Sequence, residues 1–331
     1  MNGPEKNQAR AVPRAAALHD LSCFGRCALT VIAPTLSSMG VQCVPIPTAL
    51  LSTHTGGFYD MYFCELDGAI PRIADHFEEL GLKFDAIYTG FLGSARQADI
   101  IEDFIRRFGA DDGRGGVPLV LVDPVLGADG ELYHTCTPEL ADAMRRLCAH
   151  ADVITPNLTE VCLMLGADYA RAVSRAERDP AAFCREMSER MLETIGGERL
   201  RGVVITGIPT AAGGVMTSAC ERRAGVGGKN ADGIDVSFTS QPRVERDYPG
   251  TGDIFASHLL GDLLGGKKLA AAAEAASLFV AKCAAQTLIS APDEPTRNGV
   301  ALEAVLDEMA HRNGDIRAAA HITQKGVFNV I

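Results

Sequence analysis

The residues of this chain best suited to chemistry stand at Gly250-Thr251-Gly252-Asp253, between Tyr248-Pro249 and an apolar run that starts at Ile254. Gly250 and Gly252 let the backbone bend tightly and let another molecule approach it. Behind them Ile254, Phe255, Leu259, Leu260, Leu263 and Leu264 recur with helical period. A glycine-bent loop that opens a helix presents unpaired N–H groups at the positive end of the helix dipole, which makes an anion site. The aspartate there has two readings. It can take a proton from a group lying beside the anion, and loop and acid together then point to phosphoryl transfer. It can equally cap the helix after a turn, because Asp and Thr are favoured there for local hydrogen bonding. The four residues alone do not separate the two.

The elements that must position this loop are legible as short apolar runs alternating with longer helical patterns. The runs predict strands over residues 15–19, 42–46, 86–89, 119–122, 153–155 and 203–206. The periodic segments predict helices over 27–39, 70–80, 94–108, 138–150, 158–165, 180–195, 252–264, 268–288 and 302–312. Strand–helix alternation at this spacing means an α/β fold, a mostly parallel sheet covered by helices on both faces. PLVLVD and GVVITG are apolar throughout, as strands buried on both faces must be. The glycine-rich stretch 213–233, flanked by apolar pieces, predicts an antiparallel hairpin with a mobile tip.

In open α/β sheets the ligand lies beyond the carboxyl ends of the strands. Those ends carry polar or glycine-rich turns: His19-Asp20, Thr89-Gly90, Asp123-Pro124, Thr155-Pro156-Asn157 and Thr206-Gly207. Converging on one sheet edge, they make one site. Asp123 either initiates a turn or holds Mg²⁺, which takes one or two carboxylates plus phosphate oxygens. Asn157 and Glu160, three apart at a helix start, either form a capping box or serve the same site.

Composition narrows the classes. The 331 residues are 47% hydrophobic and 22% charged, enough for a sizeable core. The net charge of −11 argues against sequence-independent binding to nucleic acid or to an anionic membrane. The 10 cysteines include no CxxC pair, so reduced thiols in a cytoplasmic protein are expected. Residues 1–14 are polar, without the apolar core of a signal peptide, and read as a disordered tail before a single domain over 15–331. The apolar stretch 269–289 contains Glu274, Lys282 and Gln286 and reads as a core helix rather than a membrane span.

Five segments together carry a resemblance. Ser52-Thr53-His54-Thr55-Gly56-Gly57, Thr89-Gly90-Phe91-Leu92-Gly93-Ser94, Asp123-Pro124-Val125-Leu126-Gly127, Thr155-Pro156-Asn157-Leu158-x-Glu160 and Gly250-Thr251-Gly252-Asp253 resemble, in order and spacing, the signatures of the pyridoxal kinases. These belong to the ribokinase-like superfamily, and the likeness runs from about Ala15 to Ile289. It implies a ribokinase-like three-layer sandwich and an ATP- and Mg²⁺-dependent kinase. The expected acceptor is the hydroxymethyl group of a B6 vitamer (pyridoxal, pyridoxine or pyridoxamine), in salvage of pyridoxal 5′-phosphate. A homodimer is implied, and a need for a monovalent cation such as K⁺ is left open.

The resemblance also assigns roles. Asp253 is the expected catalytic base, and Gly250, Thr251 and Gly252 the donors to the transferring phosphoryl group. Losing one such donor costs about 3 kcal/mol of barrier by analogy with oxyanion holes. Asp20, Ser22, Thr55, Gly56 and Phe91 would bind the vitamer; relatives carry serine where this chain has Asp20, whose carboxylate suits a ring N–H⁺ or the phenol. Asp123, Tyr133, Thr155, Asn157, Glu160, Thr206, Gly207, Gln241 and Val244 would bind the nucleotide, with Asp123 and Glu160 serving the metal. His54 is expected to be structural. The rival readings are a hydroxymethylpyrimidine kinase, a sugar or nucleoside kinase, a nucleotide-dependent NAD(P)H-hydrate dehydratase of the same fold, and a non-catalytic vitamer-binding protein.

Overall fold

An apolar run without polar alternation satisfies its backbone best as a strand inside a sheet covered on both faces, and the described chain is organised around such runs. The computed structural model describes residues 12–111, 116–197, 199–224, 230–244 and 246–306. In order they form β1 (Arg14–Phe24), α1 (Leu29–Ser38), β2 (Gln42–Thr53), β3 (Phe63–Glu65), α2 (Ala69–Glu79), β4 (Ala86–Thr89), α3 (Ala95–Phe108), β5 (Leu119–Val122), β6 (Gly127–Ala128), β7 (Glu131–Leu132) and α4 (Pro138–Cys148). Then follow β8 (Val153–Ile154), α5 (Leu158–Leu165), α6 (Tyr169–Arg178), α7 (Pro180–Thr194), β9 (Gly202–Pro209), β10 (Gly214–Ala224), β11 (Asn230–Pro242), α8 (Thr251–Leu264), α9 (Leu269–Ser290) and a 3₁₀ turn, Thr296–Asn298.

Nine strands form one sheet in the order β11-β10-β9-β8-β5-β4-β1-β2-β3. From β9 to β2 neighbours are parallel, and β10, β11 and β3 close the two edges antiparallel. One face packs α2 to α7 through a core that includes Ile87, Phe104, Val120, Met144, Val161 and Phe183. The other packs α1, α8 and α9 through Leu29, Tyr88, Phe255, Leu259 and Ala272. These are the three layers expected. Helix α9 is long and apolar enough to cross a membrane by length and composition, but Leu269, Ala272, Ala273 and Ala276 are buried in this layer.

The structure corrects several sequence boundaries. His19-Asp20 is not a turn after a strand. β1 continues to Phe24, and Asp20 stands opposite a bulge in β2, because His19 pairs with Pro47 while Leu21 pairs with Leu50. Thr206-Gly207 is likewise inside β9. Ile205 pairs with Ser218 and Ile208 with Met216, so two residues oppose Thr217. Gly207 takes φ 68° there, the left-handed value a bulge exploits. Helix α1 begins at Leu29 rather than at Cys27, because Ala28 holds φ 49° outside helical space. Strands β3, β6 and β7 were not expected, since two or three residues show no period. Nor was α6, whose buried positions are only Ala172 and Ala176.

Other expectations fall partly outside the described residues. Residues 1–11 of the expected tail do so, and Arg14 is already in β1. The hairpin forms as β10–β11, with residues 225–229 of its tip outside. Of the helix expected over 302–312, residues 303–306 are described and helical.

Candidate active site

The glycine loop resolves its own ambiguity. Gly250 occupies the N-cap of α8 at φ 82°, and no side chain caps the helix. The first intrahelical bond runs from the Ile254 N–H to the Gly250 carbonyl at 3.0 Å, so the N–H groups of Thr251, Gly252 and Asp253 have no acceptor within the helix. The Thr251 hydroxyl donates back to the Tyr248 carbonyl at 3.1 Å and stiffens the turn. Asp253 is therefore not a cap. Its Oδ2 accepts the N–H of Ala28, 2.8 Å away in the loop after β1. A Cβ on Gly250 would lie 2.0 Å from the Arg26 carbonyl, so only glycine lets the two loops touch.

Burial raises Asp253 to a pKa of about 8; the Ala28 N–H opposes this, and Asp123 and Asp20 add to it. A carboxylate tuned that close to neutrality suits a general base. Asp123, at the end of β5, is buried and accepts the Thr155 hydroxyl at 2.8 Å. Burial lifts it to about 6. A Cβ on Gly252 would stand 3.9 Å from Asp123 Oδ2, which puts this acid beside the glycine loop.

Glu160 is buried, and both readings of its segment meet in one geometry. Asn157 and Glu160 form the capping box of α5: the Asn157 side chain accepts the Glu160 N–H at 3.0 Å, and Glu160 accepts the Asn157 N–H at 2.8 Å. Its other oxygen accepts the Leu126 N–H at 3.1 Å. Burial first, and Asp123 second, push its carboxyl well above the usual range. Asn157 also donates to the Gly127 carbonyl at 2.9 Å and so ties α5 to the β6–β7 hairpin. Tyr133, just past that hairpin, has its hydroxyl held un-ionised by burial, then by Glu160, Asp123 and Asp253. Its N–H donates at 2.9 Å to the carbonyl of Leu126, the residue whose own N–H Glu160 accepts. Thr206 bridges to Asn157, and its N–H donates to the Pro156 carbonyl at 3.0 Å, so the β9 bulge adjoins α5.

On the other side, Asp20 is buried in β1 and accepts the Ser22 hydroxyl at 2.7 Å. Burial raises it to about 6. The Cys27 thiol is pushed up by burial, then by Asp20 and Asp253. Thr55 and Gly56 follow His54, and a Cβ on Gly56 would sit 3.8 Å from Pro249 of the glycine loop. Phe91 is buried, its carbonyl accepting the Thr48 hydroxyl at 3.2 Å. Gln241 and Val244 stand farther back. Gln241 pairs with Val215 in the edge hairpin, and Val244 packs against a core cluster with Tyr248, Ile254 and Phe279.

Asp20, Asp123, Glu160 and Asp253 thus gather at the carboxyl edge of the sheet. Among the described residues no Lys or Arg is paired with any of them. Buried like charges without a counter-ion fit a site that receives a cation with its ligand. Asp123 has the freer carboxylate for Mg²⁺, while Glu160 is committed to backbone donors; no group of three or more metal-ligating side chains occurs among the described residues. Sequence reasoning missed Ala28, Arg26 and Cys27. Their loop carries no signature, and Ala28 contributes only a backbone N–H.

Residues 33–291 match the family described as phosphomethylpyrimidine kinase. A pyridoxine/pyridoxal/pyridoxamine kinase of Bordetella avium is 29% identical over 298 residues, covering 85% of this chain and 89% of that one. A Bacteroides thetaiotaomicron protein, provisionally assigned as a phosphomethylpyrimidine kinase and solved with pyridoxal, is 36% identical with a TM-score of 0.76, covering 90% of this chain and 96% of that one. The pyridoxal kinase of Lactobacillus plantarum is 28% identical with a TM-score of 0.74, covering 92% and 98%. The chain belongs to the phosphomethylpyrimidine kinase family, in the ribokinase-like superfamily that also holds the pyridoxal kinases.

Proposed function

We propose that this kinase transfers the γ-phosphoryl group of ATP to the hydroxymethyl group of a B6 vitamer. One observation carries the reading: a half-buried Asp253, raised toward neutrality and fixed by the Ala28 N–H, stands in a first helical turn whose N–H groups have no helical acceptor, in a loop whose Pro249 lies against Gly56. The relatives named for pyridoxal and pyridoxine, and the Bacteroides protein solved with pyridoxal, support the choice of acceptor.

In this reaction the acceptor hydroxyl oxygen attacks the γ-phosphorus as its proton passes to Asp253, and ADP leaves with the bond it breaks. The N–H groups of Thr251, Gly252 and Asp253 stabilise the transferring phosphoryl oxygens, as donors do at an oxyanion hole. Asp123, with Glu160 behind it, would hold Mg²⁺, which neutralises phosphate charge. Asn157, Thr206, Gly207 and Tyr133 flank the nucleotide side, with Gln241 and Val244 toward its base. Asp20 and Ser22 face the acceptor, and Phe91 backs it. Positioning and charge neutralisation account for most of the rate in such transfers. The reaction belongs in the cytoplasm, in line with ten free cysteines, and in a homodimer, which light scattering would test.

A second acceptor, hydroxymethylpyrimidine, is favoured by the family match itself. One assay separates them: ATP consumption with Mg²⁺ against the three vitamers, hydroxymethylpyrimidine, ribose and hydrated NADH. Turnover with a vitamer well above the others is the expected result. Preference for the pyrimidine would replace the reading.

A further inference from the structure

Residues 292–306 follow α9 and lie beyond the family-matched span, which ends at 291. They nevertheless touch two loops of the candidate site, the one at Arg26 and the one at His54. The strap is anchored to α9 where the Ala301 N–H donates to the Thr287 hydroxyl at 2.8 Å. Its first pin is Arg26. The Arg26 N–H donates to the Asn298 carbonyl at 3.1 Å, and Arg26 bridges to Gly299. Gly299 has φ 80°, and a Cβ there would meet Arg26 Cβ and the Arg26 carbonyl, each at 2.8 Å. Gly250 approaches the same Arg26 carbonyl, so this one residue meets both the strap and the glycine loop. Two residues on, Ala28 gives its N–H to Asp253.

The second pin is His54. Its Nδ1 accepts the Gly56 N–H at 3.0 Å, which fixes the tautomer: Nε2 carries the proton and donates to the Arg297 carbonyl at 2.6 Å. The ring also fills the space against Gly25, where a Cβ would lie 2.3 Å from Cδ2. Phe58 meets the ring edge-on at 4.9 Å, and the Arg297 guanidinium lies 5.2 Å over Phe58. A Cβ on Gly57 would touch Arg297 Cβ at 3.4 Å. The segment 54–58 is therefore clasped between the strap on one side and Pro249 on the other.

We infer that the 297–299 strap sets the separation between the acceptor segment and Asp253, the proposed base, with His54 and Arg26 as its positioning residues. This rests on the acceptor reading above. A shared base of this kind fixes two loops relative to each other, where independent loops would each wander; phosphoryl transfer depends on such placement.

Two side-chain substitutions separate the His54 contacts. His54→Asn keeps an acceptor near the Nδ1 position and loses the reach to Arg297. His54→Gln keeps a donor for the Arg297 carbonyl. The Asn variant is expected to raise the acceptor KM roughly tenfold, on the order of one lost hydrogen bond. Its nucleotide Kd should stay within about twofold, and amides 54–58 should exchange faster. The Gln variant should restore most of the acceptor KM and the slow exchange. Gly299→Ala, which displaces Arg26 and with it the donor to Asp253, should lower kcat at unchanged nucleotide Kd; if it fails to fold, the His54 pair still decides. Asn performing as well as Gln, or acceptor and nucleotide affinities falling together with the melting temperature, would overturn the strap's role. Wild-type protein that phosphorylates no acceptor would sink the acceptor reading instead, and hydrogen exchange in the two His54 variants would then judge the strap alone.

Discussion

The two edges of the central sheet each bury aspartates, and they treat them in opposite ways. At the amino edge, Asp152 precedes β8 and is saturated. It accepts the Val120 N–H at 2.8 Å and Arg199 Nε at 2.9 Å, and pairs with Arg201 at 3.4 Å. Arg199 goes on to bond the carbonyls of Gly109 and Pro118, so this acid staples three segments. At the carboxyl edge, Asp20, Asp123, Glu160 and Asp253 are raised by burial, and no Lys or Arg among the described residues is paired with them. An unpaired buried carboxylate costs stability. Three such acids and the half-buried Asp253 on one edge fit an edge that meets a cationic or hydrogen-bonding ligand, whereas the paired one belongs to the scaffold.

Substitutions at the two edges should therefore fail in different measurements. Asp253→Asn is expected to lower kcat by roughly 10²–10⁴-fold, the range of general acid–base catalysis, with nucleotide Kd nearly unchanged. Ordinary turnover by this variant would remove the carboxyl edge from catalysis. Asp152→Ala strands Arg199 and should cost about 3–5 kcal/mol in denaturant unfolding. The protein that still folds should keep its specific activity; a catalytic defect at full stability would break the contrast. Asp20→Ser keeps a small polar side chain and removes a charged acceptor. Initial rates should show an acceptor KM raised about tenfold, with nucleotide KM unaltered.

The smallest effect sharpens the contrast by pH. Asp20 and Asp123 titrate near 6 and Asp253 near 8, all raised from 3.8. The folded chain thus holds these protons more tightly than the unfolded one, so their contribution to stability declines as pH rises from about 4 toward 8. Scanning calorimetry of the ligand-free protein should show this decline becoming shallower in Asp253→Asn by a few degrees of Tm. Mg²⁺ with ADP should stabilise the wild type more at pH 8 than at pH 5. Equal slopes in the two proteins would mean that Asp253 is not the strained acid at this edge.

Much of this was legible before any coordinates. β4 and β5 fell on their apolar runs, and α5 began at Leu158 as its Asn157–Glu160 box dictates, since cap and period are local signals. The bulges opposite Asp20 and at Thr206-Gly207 were not, because a polar residue at an expected strand end looks the same whether the strand stops or bends. α6 escaped notice because two alanines are a faint apolar face.

The sequence by itself determined the kinds of group available: a glycine loop with an acid, strand ends bearing polar residues, and alternation that forces a parallel sheet. Those depend on residue type and near neighbours. That Asp253 does not cap its helix was decided only in three dimensions. Ala28, 225 positions away, takes the carboxylate, and Gly250 fills the cap with no side chain at all. So too with His54, whose partner is a carbonyl 243 positions on. Contacts between a side chain and a backbone group so distant leave no pattern in residue types, and only the folded chain brings them within reach.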